Sequence, residues 1–487
     1  MIAGRHRAGV GALVVVAATL NELVAFSYFH RLLVDDYDVT IFDQAIRSYS
    51  HFHLPVSLVK GVHNRFGPQF TILGDHFSPI LALLAPLYWI HAAPSTLFLA
   101  QAVLFALAIV PLFVLGRREV GTPAAYLLCA AYAVAWPLAQ AAAFPFHEVA
   151  FAPLVVAVLF ERLSAWRRGR APVWHVVAAA LVLLCVKEDQ GFLVAGLGAA
   201  LLWLAVRHRR RSFALLGAAF AVGGVAYTAF ATRVLIPAFG GSATFYWSYD
   251  RLGATPQAVV WHLAAHPLDS LRVLVEPASV KVPTLLWLAA IGAAASLLSP
   301  YLLAALPLLL ERFLAGTATW WGTEYQYNAF LVVPLLCAAI DGIRRFPSPV
   351  RVAWAALALA LGLASVPWFS YADIGSWQRT PDNRAALRAA AHIPDGVLVE
   401  APDRIGPQIT DRTQVLIWDR VPFYAPWVIA DVQRHIFPFC SLADQQTRVA
   451  FLKDVGYQVV YSEDGYVVLH KQDVTPQFVL PQYAPCT

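Results

Sequence analysis

Apolar stretches long enough to cross a membrane recur along most of this chain and are separated by short polar segments. Eleven of them, the longer ones about 15 to 22 residues, carry almost no charge, and each predicts a membrane-spanning helix. They are Gly9–Phe29, Ser95–Leu115, Pro123–Ala141, Val149–Phe160, Pro172–Val186, Gly191–Val206, Phe213–Ile236, Thr284–Leu298, Tyr301–Leu310, Ala329–Ile340 and Val352–Phe369. A further apolar segment, Ile80–Ile90, is short and interrupted by Pro86, so we predict an interfacial or re-entrant helix there.

The pattern changes after Phe369, where aspartate returns at the density of a soluble domain. Short segments with alternating helical and strand character follow, and they predict a small α/β domain over residues 370–487 after a transmembrane domain over residues 1–369. These segments are the helices Asn383–His392 and Leu442–Val455 and the strands Val397–Glu400, Gln414–Trp418 and Gln458–Tyr461. The predicted strands lack a glycine-rich phosphate loop, so a nucleotide site is not expected in this domain.

The composition favours a membrane protein. Of 487 residues, 59% are hydrophobic and 13% are charged, whereas soluble domains carry about 25% charged residues. This argues against a water-soluble enzyme. The net charge of +5 comes from short arginine clusters beside apolar stretches, which is typical of membrane-flanking loops and not of a nucleic-acid groove. Abundant arginine and a single methionine are typical of a high-GC bacterium, so we expect a bacterial plasma membrane.

The arginines also predict orientation, because cytoplasmic loops collect Lys and Arg. Every strongly basic short loop falls on one side of the eleven-span scheme: Arg5 and Arg7, Arg117 and Arg118, Arg162 with Arg167, Arg168 and Arg170, Arg207 to Arg211, and Arg344, Arg345 and Arg351. The N-terminus is then cytoplasmic, and segments 30–78, 237–283 and 370–487 are extracytoplasmic. This assignment also holds if the two weakest spans, Thr284–Leu298 and Tyr301–Leu310, do not cross.

Two of the five cysteines, Cys440 and Cys486, lie in the polar tail. They would form a disulfide if the tail faces an oxidising compartment, and the sequence leaves bridged and unbridged states equally open. The other three, Cys129, Cys185 and Cys337, lie inside apolar stretches and are expected to be small core residues.

The first predicted outer loop, residues 30–78, carries an acidic cluster of Asp35, Asp36, Asp38 and Asp43. The apolar positions that follow have helical spacing and predict an amphipathic helix on the outer interface, entered through an acidic turn. One carboxylate at a helix N-terminus is enough to cap it. Capping remains an alternative, but several aspartates together favour a site for a base or a cation.

Other ionisable residues are predicted to lie on the same side. They are Asp75 and His76 before the interfacial segment, His147 and Glu148, the hairpin of Lys187, Glu188 and Asp189, and Glu324 in an aromatic-rich segment. Charged groups at membrane depth are costly unless paired or functional, so these predict a polar cavity that opens outward. Two structural alternatives stay open: His76 closing a turn, and Lys187 forming an ion pair that ends two helices.

Residues 37–44 (YDVTIFDQ) and 74–79 (GDHFSP), with Pro86-Leu87-Tyr88 and Gln101 following, resemble an uncharacterised family of bacterial predicted membrane proteins. The pair His147-Glu148 and the triplet Lys187-Glu188-Asp189 also match the pattern of this family. This family, a domain of unknown function, is grouped with the C-type glycosyltransferase (GT-C) superfamily. The resemblance implies a GT-C-like fold of about eleven transmembrane helices with a small extracytoplasmic domain.

The resemblance also implies an activity: inverting transfer of a sugar from a polyprenyl-phosphate donor to an envelope glycan, lipid or protein, without nucleic acid. Asp38 is the expected general base and Asp36 the alternative, because Tyr37 separates an acidic pair that is often adjacent in the superfamily. We expect Asp43 beside them. Lys187, His76, Arg65 or His147 would stabilise the leaving phosphate, and Asp75, Glu148, Glu188 and Glu324 would line the substrate site. A divalent cation on Asp36, Asp38 and Asp75 is a further expectation.

Two other functions stay open. A transporter or lipid-binding membrane protein could use the outer carboxylates as a relay, although transporters usually contain internal repeats and broken helices near the membrane midplane, and neither is evident in this sequence. A structural receptor could bind a partner through the tail, but the acidic first loop would then have no explanation.

Overall fold

Long apolar helices account for most of the chain in the computed structural model, which describes residues 4–366, 377–478 and 486. Within that part, seven helices are long and apolar enough to cross a membrane, and a bent pair, Pro267–Val275 with Ala278–Ala290, passes the same test with a 78° bend. The seven are His6–His30, Pro94–Glu119, Thr122–Ala143, Glu148–Arg167, Gln190–His208, Arg211–Ala238 and Gln326–Ile343.

All eleven apolar windows coincide with helical structure, and seven of them lie on these long helices. The other four lie on shorter elements: Trp174–Leu184, Ala278–Ala290 followed by Ala295–Leu298, Pro300–Ala304 followed by Leu306–Leu314, and Ser348–Ala364. The fold class is confirmed, and the number of eleven spans stays a prediction. The segment at 80–90 is helical only over Pro79–Tyr88 and exposes Leu83 and Ile90, and its interfacial or re-entrant position stays a prediction.

Further short helices complete the part before the sheet. They are Ile41–Ser50, Leu58–His63, Pro256–Ala265 and a π-helical turn at Asp36–Thr40. The predicted amphipathic helix is therefore present at Ile41–Ser50. The C-terminal domain covers part of its polar face: the Gln44 side-chain amide donates to the main-chain oxygen of Val415, 3.1 Å away. Its position at the membrane surface stays a prediction.

Glycines bring the helices Gln190–His208 and Arg211–Phe230 into close contact. A Cβ placed on Gly224 would lie 2.3 Å from the main-chain oxygen of Gly191, whereas one placed on the adjacent Gly223 would meet no atom within 4 Å. Small residues at such contacts let membrane helices approach closely.

This contact predicts opposite effects for two neighbouring substitutions. Gly223→Ala should raise the thermal unfolding temperature slightly, because alanine favours a helix by about 1 kcal/mol over glycine. Gly224→Ala should lower it, because overpacking against a main-chain atom costs about 1–3 kcal/mol. Thermal unfolding of the two purified variants in detergent tests this, and equal unfolding temperatures would contradict it.

The C-terminal domain is a mixed five-stranded sheet with the helices Pro381–Ala390 and Leu442–Asp454. Its strands are β1 (Leu398–Ala401), β2 (Gln414–Ile417), β3 (Trp427–Asp431), β4 (Gln458–Glu463) and β5 (Tyr466–His470). Their order is β2-β1-β3-β5-β4, with β1 parallel to β2 and β3, and β5 antiparallel to β3 and β4. The sequence predicted β1, β2 and β4. The predicted boundary at 369/370 lies outside the described residues.

Cys440 and Cys486 form a disulfide, which decides the alternative that the sequence left open. The free cysteines Cys129 and Cys337 are buried, as expected, whereas Cys185 is exposed.

Basic helix ends meet at one end of the bundle. Glu119 pairs with Arg168 at 2.6 Å and with Arg344 at 3.8 Å, and Arg118 pairs with Glu161 at 2.5 Å. Three loops that the arginines predicted to share one side therefore lie side by side. Which compartment they face stays a prediction.

Candidate active site

The acidic turn is anchored by the C-terminal domain. The Asp36 N–H donates to both the main-chain oxygen and the Oδ1 of Asp403, each at 3.0 Å. The Asp36 carboxyl is fully buried and accepts from the Thr40 hydroxyl at 2.5 Å. Burial and then the neighbouring Asp403 raise the pKa of Asp36 well above its ordinary value, which favours the neutral form of this group. Its enclosure keeps it away from a substrate.

Asp38 projects in a different direction and reaches His147. Its Oδ1 lies 3.0 Å from His147 Nε2, and its side chain stays 17% exposed. The His147 ring stacks on Phe144 and meets Phe42 edge-on. Within the described residues, its buried Nδ1 has no hydrogen-bond partner. A carboxylate held by an oriented imidazole and still reachable from outside is suited to proton transfer.

Asp43 lies apart from that contact, one helical turn further along. Its carboxylate is fully buried and accepts from the hydroxyls of Tyr88 and Thr410, at 2.8 and 3.0 Å, and from Arg47 at 3.1 Å. These bonds hold the helix Ile41–Ser50 against its neighbours. Asp43 therefore has three hydrogen-bonding partners, and its carboxylate is not accessible to solvent.

His147 and Glu148 connect two parts of the site. Glu148 is buried and pairs with Lys187 at 3.1 Å, while the preceding residue holds Asp38. Burial disfavours the charged form of Lys187, but Glu148, Asp189 and Glu188 outweigh it and raise the pKa of that ammonium group. A partly exposed carboxylate and a cation are thus held by two consecutive residues. Lys187 lies between the helices Trp174–Leu184 and Gln190–His208, and its ion-pair partner comes from a distant segment.

A second charged network adjoins Lys187. His76 Nδ1 lies 2.7 Å from Glu188 Oε1, and the His76 ring stacks on Tyr246. Asp75 accepts from Lys60 at 2.9 Å and from the Tyr246 hydroxyl at 2.7 Å. Asp75, His76 and Glu188 were predicted from the sequence. Lys60 and Tyr246 were missed, because single polar residues in apolar or aromatic surroundings give no periodic signal.

The ionisation of His76 predicts a pH dependence of stability. Burial and Lys187 oppose the charged imidazole, but Glu188 and Asp75 outweigh them and raise the pKa of His76 above its ordinary 6.5. Its pair with Glu188 therefore contributes stability below pH 6.5 and loses that contribution as the pH rises through the folded-state pKa. Above pH 6.5, the unfolding temperature of the wild type should fall more steeply than that of His76→Gln. Parallel thermal curves would contradict this.

Two predicted residues lie at the periphery. Arg65 is exposed just after the short helix Leu58–His63, and Glu324 is exposed beside Tyr325, whose ring meets Phe144 edge-on at 4.7 Å. In residues 4–366, 377–478 and 486, no three His, Cys, Asp or Glu side chains are grouped as metal ligands. Asp36 and Asp75 are engaged elsewhere, so the set expected for a divalent cation does not form one ligand shell.

A family model described as "Predicted membrane protein (DUF2079)" matches residues 29–468. The chain belongs to this family. The matched region of this DUF2079 protein contains the acidic turn, both charged networks and nearly all of the C-terminal sheet. No curated protein sequence matches the chain.

Solved structures place the fold of this DUF2079 protein with GT-C enzymes. ArnT from Cupriavidus metallidurans, bound to undecaprenyl phosphate, aligns with a TM-score of 0.53 and 13% identity, covering 97% of this chain and 99% of ArnT. An oligosaccharyltransferase of Archaeoglobus fulgidus aligns with a TM-score of 0.47 and 15% identity, over 94% of this chain and 73% of the other. The alignment with ArnT establishes a GT-C-like fold, as the sequence predicted.

Proposed function

We propose that this protein is a membrane glycosyltransferase that transfers a sugar from a polyprenyl-phosphate donor to an acceptor at the outer face of a bacterial plasma membrane. One observation carries the proposal. His147 and Glu148, adjacent in sequence, hold the partly exposed Asp38 and the cation Lys187. Sugar transfer from a lipid phosphate needs a base for the acceptor and positive charge for the leaving group, and here both come together.

The proposed reaction inverts the anomeric centre. The Asp38 carboxylate takes the proton of the acceptor hydroxyl while that oxygen forms a bond to the anomeric carbon. The bond from this carbon to the phosphate oxygen breaks on the opposite face, and its electron pair leaves with the phosphate. His147 orients Asp38 through the 3.0 Å contact. General-base assistance of this kind contributes about 10² to 10⁴ in rate.

The leaving phosphate would be bound by Lys187 with His76. Lys187 already faces Glu148, with Glu188 and Asp189 nearby, so a second positive charge is needed to offset these carboxylates. Protonated His76, beside Glu188, provides it. The acceptor could be a glycan, a lipid or a protein of the envelope, since the described contacts favour none of them.

Binding of undecaprenyl phosphate to the full chain in lipid nanodiscs tests the proposal. Undecaprenol, which has the same tail and no phosphate, is the matched probe. We expect the phosphorylated lipid to bind at least about tenfold more tightly, equivalent to 1.4 kcal/mol, and we expect Lys187→Met to remove this preference. Equal binding of the two lipids to the wild type would overturn the proposal.

A further inference from the structure

A loop of the C-terminal domain, residues 402–406, packs directly on the acidic turn. Asp403 accepts twice from the Asp36 N–H, as described above. Gly406 lies against the Asp36 carboxyl so closely that a Cβ would fall 2.0 to 2.3 Å from its atoms. Gly406 does not have a positive φ. Glycine is therefore required there for space and not for backbone conformation.

The residue that directly precedes the acidic turn does not provide comparable support. Asp35, which precedes it, is extended and makes no side-chain capping bond. The N–H groups at a helix start need partners from elsewhere, and here Asp403 supplies one to Asp36. The turn itself is π-helical at Asp36–Thr40, a conformation that is rare and frequently found at functional sites.

We propose that Asp403 and Gly406 are positioning residues: they fix Asp36, and through it the turn that directs Asp38 to His147. This inference rests on the proposed role of Asp38 as the base. Neither residue touches the reacting atoms. A displacement of about 1 Å in a catalytic group can cost on the order of 10² in rate, so the support matters for turnover.

The charged groups around Asp403 indicate that its contact with Asp36 does more than hold the two domains together. Burial, and next Asp35, raise the pKa of Asp403 to about 7, and Asp38 acts in the same direction. Asp35 itself has a pKa raised to about 6 by burial, partly offset by Arg404. A contact that only held the domains together would be stronger with a cation opposite Asp36, whereas two facing carboxyl groups provide no charge attraction. The aspartate instead supplies an acceptor aimed at one N–H group.

Two measurements on the full chain in nanodiscs test this proposal. The first is hydrogen exchange of the Asp36–Thr40 amides. The second is turnover, followed as undecaprenyl phosphate released from radiolabelled undecaprenyl-phosphate-linked hexoses. For Gly406→Ala and Asp403→Ala we expect faster exchange at the turn and kcat lower by about ten- to a hundredfold, with KM for the donor nearly unchanged.

Two variants serve as controls. Asp403→Asn keeps an oxygen that can accept from Asp36, so it should restore both slow exchange and turnover. Gly223→Ala adds the same methyl group where it meets no atom within 4 Å and should change neither.

The outcomes separate this inference from the proposed function. Unchanged exchange in Gly406→Ala and Asp403→Ala would overturn the inference, and so would faster exchange with wild-type turnover. Faster exchange in both variants, with a wild type that releases no undecaprenyl phosphate from any donor, would support control of the turn by the loop and overturn the proposed function.

Discussion

Asp38→Asn is expected to lower sugar transfer by about 10²- to 10⁴-fold while the chain folds normally. The amide has the shape of the carboxylate and can keep a contact with His147, but it cannot accept the proton of the acceptor hydroxyl. Turnover is measured as release of undecaprenyl phosphate from undecaprenyl-phosphate-linked sugars. Thermal unfolding of the same preparation shows whether the fold is retained.

Two matched substitutions accompany this test. Asp36→Asn should cost less than Asp38→Asn, because burial and Asp403 raise the pKa of Asp36 and so favour its neutral form. Asp411→Asn, at an exposed position of the C-terminal domain, should have no effect. Full turnover by Asp38→Asn would refute its role as the base. If Asp36→Asn is inactive while Asp38→Asn is active, Asp36 is the base instead.

Lys187→Met is expected to cause the largest loss of stability. It leaves the Glu148 carboxylate, 3% exposed, without its cation. Breaking a buried ion pair by removing one partner costs about 3–5 kcal/mol. The unfolding temperature in detergent should fall sharply, whereas Arg388→Met, in an exposed pair with Asp464, should change it little.

The double variant Lys187→Met with Glu148→Gln separates stability from binding. It removes both charges together, so most of the lost stability should return. Affinity for undecaprenyl phosphate should not return, because the cation is still missing. If the double variant binds this lipid as the wild type does, Lys187 has only a structural role.

The membrane helices could be predicted because a span is a local property of about 20 consecutive apolar residues. The strands β3 and β5, each a run of five residues beside a proline or a glycine, were missed. The buried position of the helix Ile41–Ser50 was missed as well. Its polar face predicts contact with water, but that face meets β2, more than three hundred residues later in the chain.

The residues of the candidate site were also partly predictable from the sequence. Asp38, His147, Glu148 and Lys187 attract attention because ionisable residues are rare in this sequence. Their pairing could not be foreseen, since it joins three distant segments. Asp403 gave no such signal, because aspartates are frequent in the polar tail around it.

The contact of Asp36 with Asp403 spans 367 positions of the sequence. A ribosome therefore finishes every membrane helix before the partner of the first loop leaves the exit tunnel. During that interval the nascent chain is inserted in the bilayer with its acidic turn incomplete. Folding of the first loop thus ends only after synthesis of the tail, and a chain truncated after its last span would lack the Asp403 support of its acidic turn.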